Sequence, residues 1–158
     1  MAMVCLIDGY NLIGSTTHIL LSDTNKEKKL IDYVNQKLAQ QKSKAIIVFD
    51  GKNPIEIYGS VYEKIKCKVV FTNPDETADD YIIRYLNNEK NKSSLTMVSS
   101  DKQLVVFARQ LRIASLTSPG FLNKLSKYQS QNQVIKRDDP MQKRELSYWL
   151  SVFKSKDI

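Results

Sequence analysis

Short runs of apolar, β-branched residues alternate along the chain with segments whose apolar residues recur at helical spacing. The apolar runs show no polar alternation, which is typical of strands that are buried on both faces of a sheet. They are Met3 to Ile7, Ala45 to Phe49, Cys67 to Phe71, Leu95 to Val98 and, more weakly, Ile113 to Leu116. The spacing between and after them predicts helices over 24–41, 77–89 and 101–110, with further helical segments near 119–130 and 140–155.

This alternation predicts an α/β fold in which helices cover a mainly parallel sheet. Strands and helices follow one another as β-α-β-loop-β-α-β-α-β, an order that implies right-handed crossovers between parallel strands. In open sheets of this type, the functional site forms beyond the carboxyl ends of the strands. The least regular stretch, residues 51–64, is predicted to be either a substrate-facing loop or a plain connection.

The length and composition favour one globular domain over residues 1–158. Of the 158 residues, 42% are hydrophobic and 26% are charged, which is typical of a compact domain. The first apolar stretch is interrupted by Asp8 and is too short for a signal peptide or a membrane span. We therefore expect a cytoplasmic protein without a membrane partner, and the sequence leaves its oligomeric state open.

The cysteines and the histidine offer little catalytic chemistry. Cys5 and Cys67 lie in apolar strand runs without further Cys or His at metal-ligand spacing, which predicts buried free thiols. His18 is the only histidine, so any nucleophile–histidine system would have to use it. It follows a Ser-Thr-Thr stretch and is predicted to lie in a loop or at a helix start.

The net charge of +7 indicates a polyanionic partner. Residues 121–158 form a basic C-terminal segment, in which eight Lys and Arg stand against four acids. Tyr128, Tyr148 and Trp149 lie among them, and this mixture suits phosphate contact combined with base stacking. The alternative is a solvent-exposed C-terminal helix whose aromatic side chains pack inward, and for Trp149 we favour this alternative. The predicted phosphate-binding residues are Lys124, Lys127, Lys136, Arg137, Lys143 and Arg144.

Acidic residues follow every strong strand run. They are Asp8, Asp50 and Asp101 after the first, second and fourth runs, and Glu76, Asp79 and Asp80 at the start of the helix after the third. Because the carboxyl ends of parallel strands meet at one edge, we expect these acids to form a cluster. Clustered carboxylates raise one another's pKa and favour a bound cation. Oxygen ligands without His or Cys favour Mg²⁺ or Mn²⁺.

Helical geometry separates the acids that follow the third run. At about 100° per residue, Asp79 lies at the edge of the packed face, whereas Asp80 points away. Asp80 is therefore predicted to be supporting or structural, and Glu76 to be an additional ligand or a water-orienting group. The predicted metal ligands are Asp8, Asp79 and Asp101.

Three further residues are predicted to support this cluster. Asp50 also fits an ordinary exit from a strand into a turn, so we place it outside the ligand set. Asn11 and Ser100 are predicted to hydrogen-bond the ligands or phosphate, or else to cap helices.

An acidic metal site on a basic surface is the combination that a metal-dependent nuclease requires. A non-catalytic RNA- or ribosome-binding module is the alternative, although such a module gains nothing from carboxylates that repel phosphate. A phosphotransfer domain with Asp50 or Asp8 as acceptor is disfavoured because the first strand ends in a single acid. A nucleotide-binding enzyme is disfavoured because no glycine-rich phosphate loop is present.

Four motifs together resemble the YacP-type NYN domain family of PIN-like ribonucleases. They are "IDGYNLIG", "VFDG", "VVFTNPDETADDYI" and "VSSDKQL", and the resemblance covers residues 3–118. It implies a three-layer α/β/α PIN-like fold and a metal-dependent endoribonuclease whose motif acids fall on Asp8, Asp79 and Asp101. It also implies cleavage of mRNA in association with ribosomes, and the preference for RNA over DNA rests on this resemblance alone.

One position departs from the family pattern. Broader NYN domains often carry a second acid two residues after the acid of the fourth strand, and this chain has Gln103 there. A site with one metal, or with a second ion recruited together with the RNA, fits this sequence better than two resident metals.

Overall fold

A mixed sheet flanked by helices forms the centre of the protein in a computed structural model, which describes residues 3–51, 61–63 and 65–136. Its strands are β1 (Val4–Asp8), β2 (Lys44–Phe49), β3 (Val61–Glu63), β4 (Cys67–Phe71), β5 (Leu95–Val98) and β6 (Ala114–Leu116). Its helices are α1 (Gly9–Ser15), α2 (Lys26–Leu38), α3 (Ala78–Asn88), α4 (Lys102–Gln110) and α5 (Ser118–Lys136), with a 3₁₀ helix at Lys92–Ser94.

The strand order is β3-β4-β2-β1-β5-β6, in which β3 is antiparallel and the other five strands are parallel. The chain moves outward from β1 through β2 to β4, and then returns to the other side of β1 with β5 and β6. The reversal lies between β1 and β5. In sheets of this type, the carboxyl ends of the strands on either side of such a reversal form a crevice. The predicted α/β architecture is thus confirmed.

The prediction for residues 51–64 needs correction, and the predictions for the C-terminal helices are tested only in part. The stretch 51–64 contains β3, a three-residue edge strand, where a loop was expected. Helix α5 continues six residues beyond the predicted segment near 119–130, and the segment predicted near 140–155 lies outside the described residues, so one domain over 1–158 stays a prediction. In the part of the chain that the structure describes, no helix is long and apolar enough to cross a membrane.

Both faces of the sheet are buried, which explains why its strands lack polar alternation. Successive strand residues point to opposite faces, so Ile7 packs under α1, α2 and α5, whereas Leu6 packs under α3 and α4. Cys5 and Cys67 are buried thiols that form no disulfide, in keeping with the prediction. The result is a helix layer on each side of the sheet and a carboxyl edge that both layers border.

Gly9 allows α1 to begin directly where β1 ends. A Cβ atom at this position would lie 2.4 Å from Cε1 of Phe49 and 2.6 Å from Cδ1. The Phe49 ring is fully buried, lies stacked 5.2 Å from the Phe71 ring and meets the Tyr10 ring edge-on at 5.1 Å. Because the ring has little room to move, the close approach of α1 to β2 requires glycine.

We expect Gly9→Ala to lower the free energy of unfolding by about 1–3 kcal/mol, the usual range for overpacking a core. Gly14→Ala is the matched control, because it lies in the same helix and a Cβ there would meet no atom within 4 Å. Alanine at that position should be neutral or stabilise by up to about 1 kcal/mol. Urea denaturation of both variants measures the difference, and equal stabilities would contradict the proposed contact.

Candidate active site

Four aspartates lie at the carboxyl edge of the sheet. Asp8 ends β1, Asp50 follows β2 and Asp101 precedes α4, while Asp79 is the second residue of α3. Because β1 lies between β2 and β5, Asp8 has a central position. The charges of the other three aspartates all act on it. We call these four residues the aspartate group.

The pKa of Asp8 is raised from 3.8 to about 6. Burial of the carboxyl group is the largest cause, and the negative charges of the other three aspartates add to it. The Asn11 backbone N–H opposes this shift by donating to Oδ1 of Asp8 at 3.5 Å. Asp8 is thereby the N-cap of α1. The helix start anchors the carboxylate but does not offset its desolvation.

Asp79 and Asp80 take the separate positions that helical geometry predicted. Asp79 is half-buried, and its pKa is raised first by burial and then by the charges of Asp101, Asp50 and Asp80. Asp80 is exposed and forms a capping box with Thr77: its backbone N–H donates to Thr77 Oγ1 at 3.1 Å, and its carboxylate accepts from the Thr77 N–H at 3.3 Å. Asp80 therefore fixes the start of α3, which carries Asp79.

Asp101 is held at the start of α4 by hydrogen bonds to its own neighbours. Its carboxylate accepts from the backbone N–H of Gln103 at 2.9 Å, which makes it the N-cap of the helix. Its backbone N–H donates to Oγ of the buried Ser99 at 3.1 Å. The position of the Asp101 carboxylate is thus set by the turn between β5 and α4.

Asn11 links this turn to two helices. Its Oδ1 accepts from the backbone N–H of Ser100 at 2.9 Å and from the hydroxyl of Ser118 at 2.6 Å. Oγ of Ser100 in turn accepts from the Ser118 backbone N–H at 3.1 Å. Asn11 and Ser100 thereby join α1, the β5–α4 turn and the start of α5, and their predicted supporting role at the aspartate group stays a prediction. Sequence reasoning missed Ser118, since Ser-Pro resembles any helix start.

Glu76 is not brought into the aspartate group. Its carboxylate accepts three hydrogen bonds of 2.9–3.2 Å from the Arg84 guanidinium. Its charge is not among those that raise the pKa values of Asp8 and Asp79. Glu76 would have to break its hydrogen bonds with Arg84 before its carboxylate could bind a metal ion. Its role as an additional ligand therefore stays a prediction.

Thr72 orders the turn that carries Asp50. Its buried side chain accepts from the Gly51 backbone N–H at 3.0 Å, and Gly51 has a φ of +92°, which favours glycine. Asp50 itself is exposed. It contributes charge from the rim of the aspartate group, in keeping with its predicted supporting place.

The described residues do not balance the negative charge of the aspartate group with ion pairs. Within the described residues, no lysine or arginine forms an ion pair with any of the four aspartates. In the same part of the chain, no three His, Cys, Asp or Glu side chains converge into a ready-made metal-binding group. The donor set nevertheless fits Mg²⁺ or Mn²⁺, because Mg²⁺ usually takes one or two carboxylates and completes its shell with water and substrate phosphate.

The predicted phosphate-binding residues are only partly described. Lys124 and Lys127 are exposed on α5. Lys124 lines a cavity of about 220 Å³ together with Met3 and Ser43, which precede β1 and β2, so it lies toward the amino edge of the sheet. Lys136 ends α5, and the remaining three residues, Arg137, Lys143 and Arg144, lie outside the described residues.

Known proteins with a similar sequence or structure share this fold. The Bacillus subtilis (strain 168) protein YacP is 26% identical over 113 residues, a match that spans 67% of this chain and 66% of that protein. A crystal structure of Rae1 (YacP) from Bacillus subtilis superimposes with a TM-score of 0.68 at 21% identity, covering 98% of this chain and 92% of that chain.

A second crystal structure, of a tryptophan-to-leucine mutant of Rae1, gives a TM-score of 0.66 at 18% identity, with coverage of 93% and 92%. At these identities the structural similarity shows the fold alone. The family model for the YacP-like NYN domain matches residues 5–155, nearly the whole chain. This match confirms the resemblance that the four sequence motifs indicated, and the chain belongs to the YacP-like NYN domain family.

Proposed function

We propose that this protein is a metal-dependent endoribonuclease that hydrolyses phosphodiester bonds in RNA. Membership of the NYN/PIN-like domains implies a nuclease of the ribonuclease type, with RNA as partner. The observation that carries the finer proposal is the placement of Asp8, Asp50, Asp79 and Asp101 at one edge of the sheet, and the pKa of Asp8, which burial and the three other carboxylates raise, agrees with it. A cluster that repels itself in this way is stabilised by a divalent cation.

Asp8, Asp79 and Asp101 are the residues that would hold Mg²⁺ or Mn²⁺. When bound, such an ion supplies a polarised water near neutral pH and stabilises charge on the departing oxygen. The side chains of the protein fix where this chemistry occurs, since two of the three carboxylates also cap helices. Gln103 stands where a further acid would be needed, which favours a site with one resident ion.

A binding module without catalysis explains the aspartate group less well. The carboxylates of Asp8 and Asp79 are partly buried and repel one another, which destabilises the fold, and they also repel phosphate. A protein that only binds RNA would bind it more tightly without them.

We extend the proposal to mRNA on the ribosome. Its support is the family resemblance together with the net charge of +7, which attracts RNA in any context. If cleavage requires mRNA that is bound to the ribosome, an assay on free RNA alone would detect no activity. The activity test therefore uses both free RNA and mRNA on ribosomes.

We expect wild-type protein to cleave RNA with Mn²⁺ or Mg²⁺, either as free single strands or as mRNA on ribosomes. Asp8→Asn and Asp101→Asn should reduce the rate to below about 1% of wild type, since each removes a metal-binding charge but keeps a helix cap. The same preparation should retain RNA binding. Gel analysis of labelled RNA, with and without ribosomes, measures the cleavage rates of wild type and of the two variants.

Asp75→Asn is the matched control for this experiment. Asp75 is exposed in the loop before α3, and its charge is not among those that act on Asp8 or Asp79. Full activity in this variant separates the aspartate group from a general loss of acidic charge. If wild type cleaves no RNA with either metal in either format, or if Asp8→Asn cleaves normally, the protein is not the enzyme we propose.

Asp8 also makes the stability of the metal-free protein depend on pH. Its pKa is about 6 in the folded state against 3.8 as an unperturbed group, so the folded state binds more protons between these values. Its contribution to stability is therefore full below about pH 4, falls as the pH rises and is lost above about pH 6. The ionised group costs at most about 3 kcal/mol at pH 8.

We therefore expect Asp8→Asn to raise the melting temperature at pH 8 in EDTA and to change it little at pH 4. Mn²⁺ should stabilise wild type at pH 8 and leave Asp8→Asn nearly unchanged. Thermal melts of both proteins and of Asp75→Asn measure these effects. An Asp8→Asn protein that is less stable than wild type at pH 8 in EDTA would contradict the electrostatic assignment.

The basic C-terminal segment generates a separate prediction. Replacing Lys136, Arg137, Lys143 and Arg144 by glutamine should weaken RNA or ribosome association, and each lost phosphate contact should flatten the slope of log affinity against log salt by about 0.7. Binding titrations across a salt series measure both quantities. Unaltered affinity at every salt concentration would remove this segment from the binding surface.

A further inference from the structure

Two lysines border the aspartate group from opposite sides of the sheet. Lys26 begins α2, which packs on the face that carries Ile7, and Lys102 begins α4, which packs on the face that carries Leu6. In crossovers between parallel strands, the helix that leads into the next strand runs from the carboxyl edge toward the amino edge, and α2 leads into β2 as α4 leads into β6. Both lysines therefore lie at the edge that bears the aspartates, one on each side.

Lys26 is held by several contacts beside Tyr10, which belongs to the motif "IDGYNLIG". Its Nζ lies 5.9 Å from the centre of the Tyr10 ring and 3.7 Å from Oε2 of Glu27. The Tyr10 hydroxyl donates to the same carboxylate oxygen at 2.6 Å. Tyr10 is two residues from Asp8, which ends β1, so this group adjoins Asp8 at the carboxyl edge. Glu27 is buried and holds both partners in place.

Lys102 directly follows Asp101 and is exposed. None of the described acids forms an ion pair with it. Its ammonium group is thus available to an external anion.

The helix dipole does not account for either lysine. A cation in the first turn of a helix opposes the helix dipole, which favours acids at that end by roughly 0.3–1 kcal/mol. Two helices that begin next to the aspartate group nevertheless begin with lysine. For Lys26, the ion pair with the buried Glu27 and the contact with the Tyr10 ring offset this cost, whereas Lys102 has no ion pair with a described residue to offset it.

The basic C-terminal segment does not fill this place in the described structure. Lys124 lies toward the amino edge of the sheet, at the cavity beside Met3 and Ser43. A strand whose phosphate lies at the aspartates would be repelled by them unless cations contacted its neighbouring phosphates. Lys26 and Lys102 are placed to make such contacts.

We propose that single-stranded RNA crosses the carboxyl edge from Lys26 to Lys102, with each lysine contacting a backbone phosphate on one side of the aspartate group. The partly exposed Tyr10 ring beside Lys26 offers a base a stacking surface, a combination found in proteins that bind single strands. This strand path deepens the proposed function and rests on it for the identity of the substrate as RNA.

The test measures binding without cleavage. Fluorescence anisotropy of a short labelled single-stranded RNA in EDTA is followed across a salt series for Lys26→Gln, Lys102→Gln and the double variant. We expect the double variant to bind roughly tenfold more weakly and its slope of log affinity against log salt to flatten by about 1.4, or about 0.7 for each contact. Lys26→Arg and Lys102→Arg should retain both affinity and slope.

Lys90→Gln is the matched control, because Lys90 is exposed and lies between α3 and the 3₁₀ helix before β5, at the amino edge. It lowers the net charge by one, as each single variant does, and should leave the slope unchanged. Melting temperatures should not fall in Lys102→Gln or Lys90→Gln, whereas a fall in Lys26→Gln reports the lost contact with the buried Glu27 and should be absent in Lys26→Arg. If the double variant and Lys90→Gln share the wild-type slope, the strand path is wrong.

A cleavage assay with Mn²⁺ separates this inference from the proposed function. A raised KM with an unchanged kcat in the double variant supports the path. If wild type binds through both lysines but never cleaves, the endoribonuclease proposal fails and the path stands. If wild type cleaves while the slopes are unchanged, the path fails and the proposed function stands.

Discussion

Mutual repulsion among carboxylates at one edge of a parallel sheet is the constraint on which the rest of this site depends. Parallel strands bring their carboxyl ends together, and in this chain three strand ends and one helix start each carry an aspartate. Burial strengthens the repulsion, as the raised pKa values of Asp8 and Asp79 show. A fold that keeps such a cluster has to hold the carboxylates in place by other interactions.

Those interactions are local caps joined by one long-range junction. Asp8 and Asp101 each cap the helix that follows, so the helix backbone fixes both carboxylates. Asn11 then ties the two turns together through Ser100 and adds the start of α5 through Ser118. Gly9 lets α1 pack directly on Phe49, which fixes the start of α1 against β2. The arrangement places the acids at one edge without an ion pair to any described cation, which is consistent with the metal ion that we propose.

Sequence patterns were sufficient for the parts of the fold that repeat regularly. Apolar runs located the parallel strands, and helical angles distinguished the half-buried Asp79 from the exposed Asp80. They did not reveal β3, because a three-residue edge strand carries too little pattern. Nor did they reveal that Arg84 holds Glu76 or that Ser118 reaches Asn11, 107 residues away, since such side-chain pairs depend on the completed fold. Charge counts pointed to the C-terminal segment, whereas topology places Lys26 and Lys102 beside the aspartates.

The central claim is that Asp8, Asp79 and Asp101 together form a divalent cation site. Calorimetric titration of Mn²⁺ into the protein at pH 8 tests it most directly, with Asp8→Asn, Asp79→Asn, Asp101→Asn and Asp75→Asn compared with wild type. The account predicts binding by wild type and Asp75→Asn, and affinity at least about tenfold weaker in the other three, because each loses a charged ligand. Equal Mn²⁺ affinity in all five proteins, or no binding by wild type even with a non-cleavable RNA present, would contradict it.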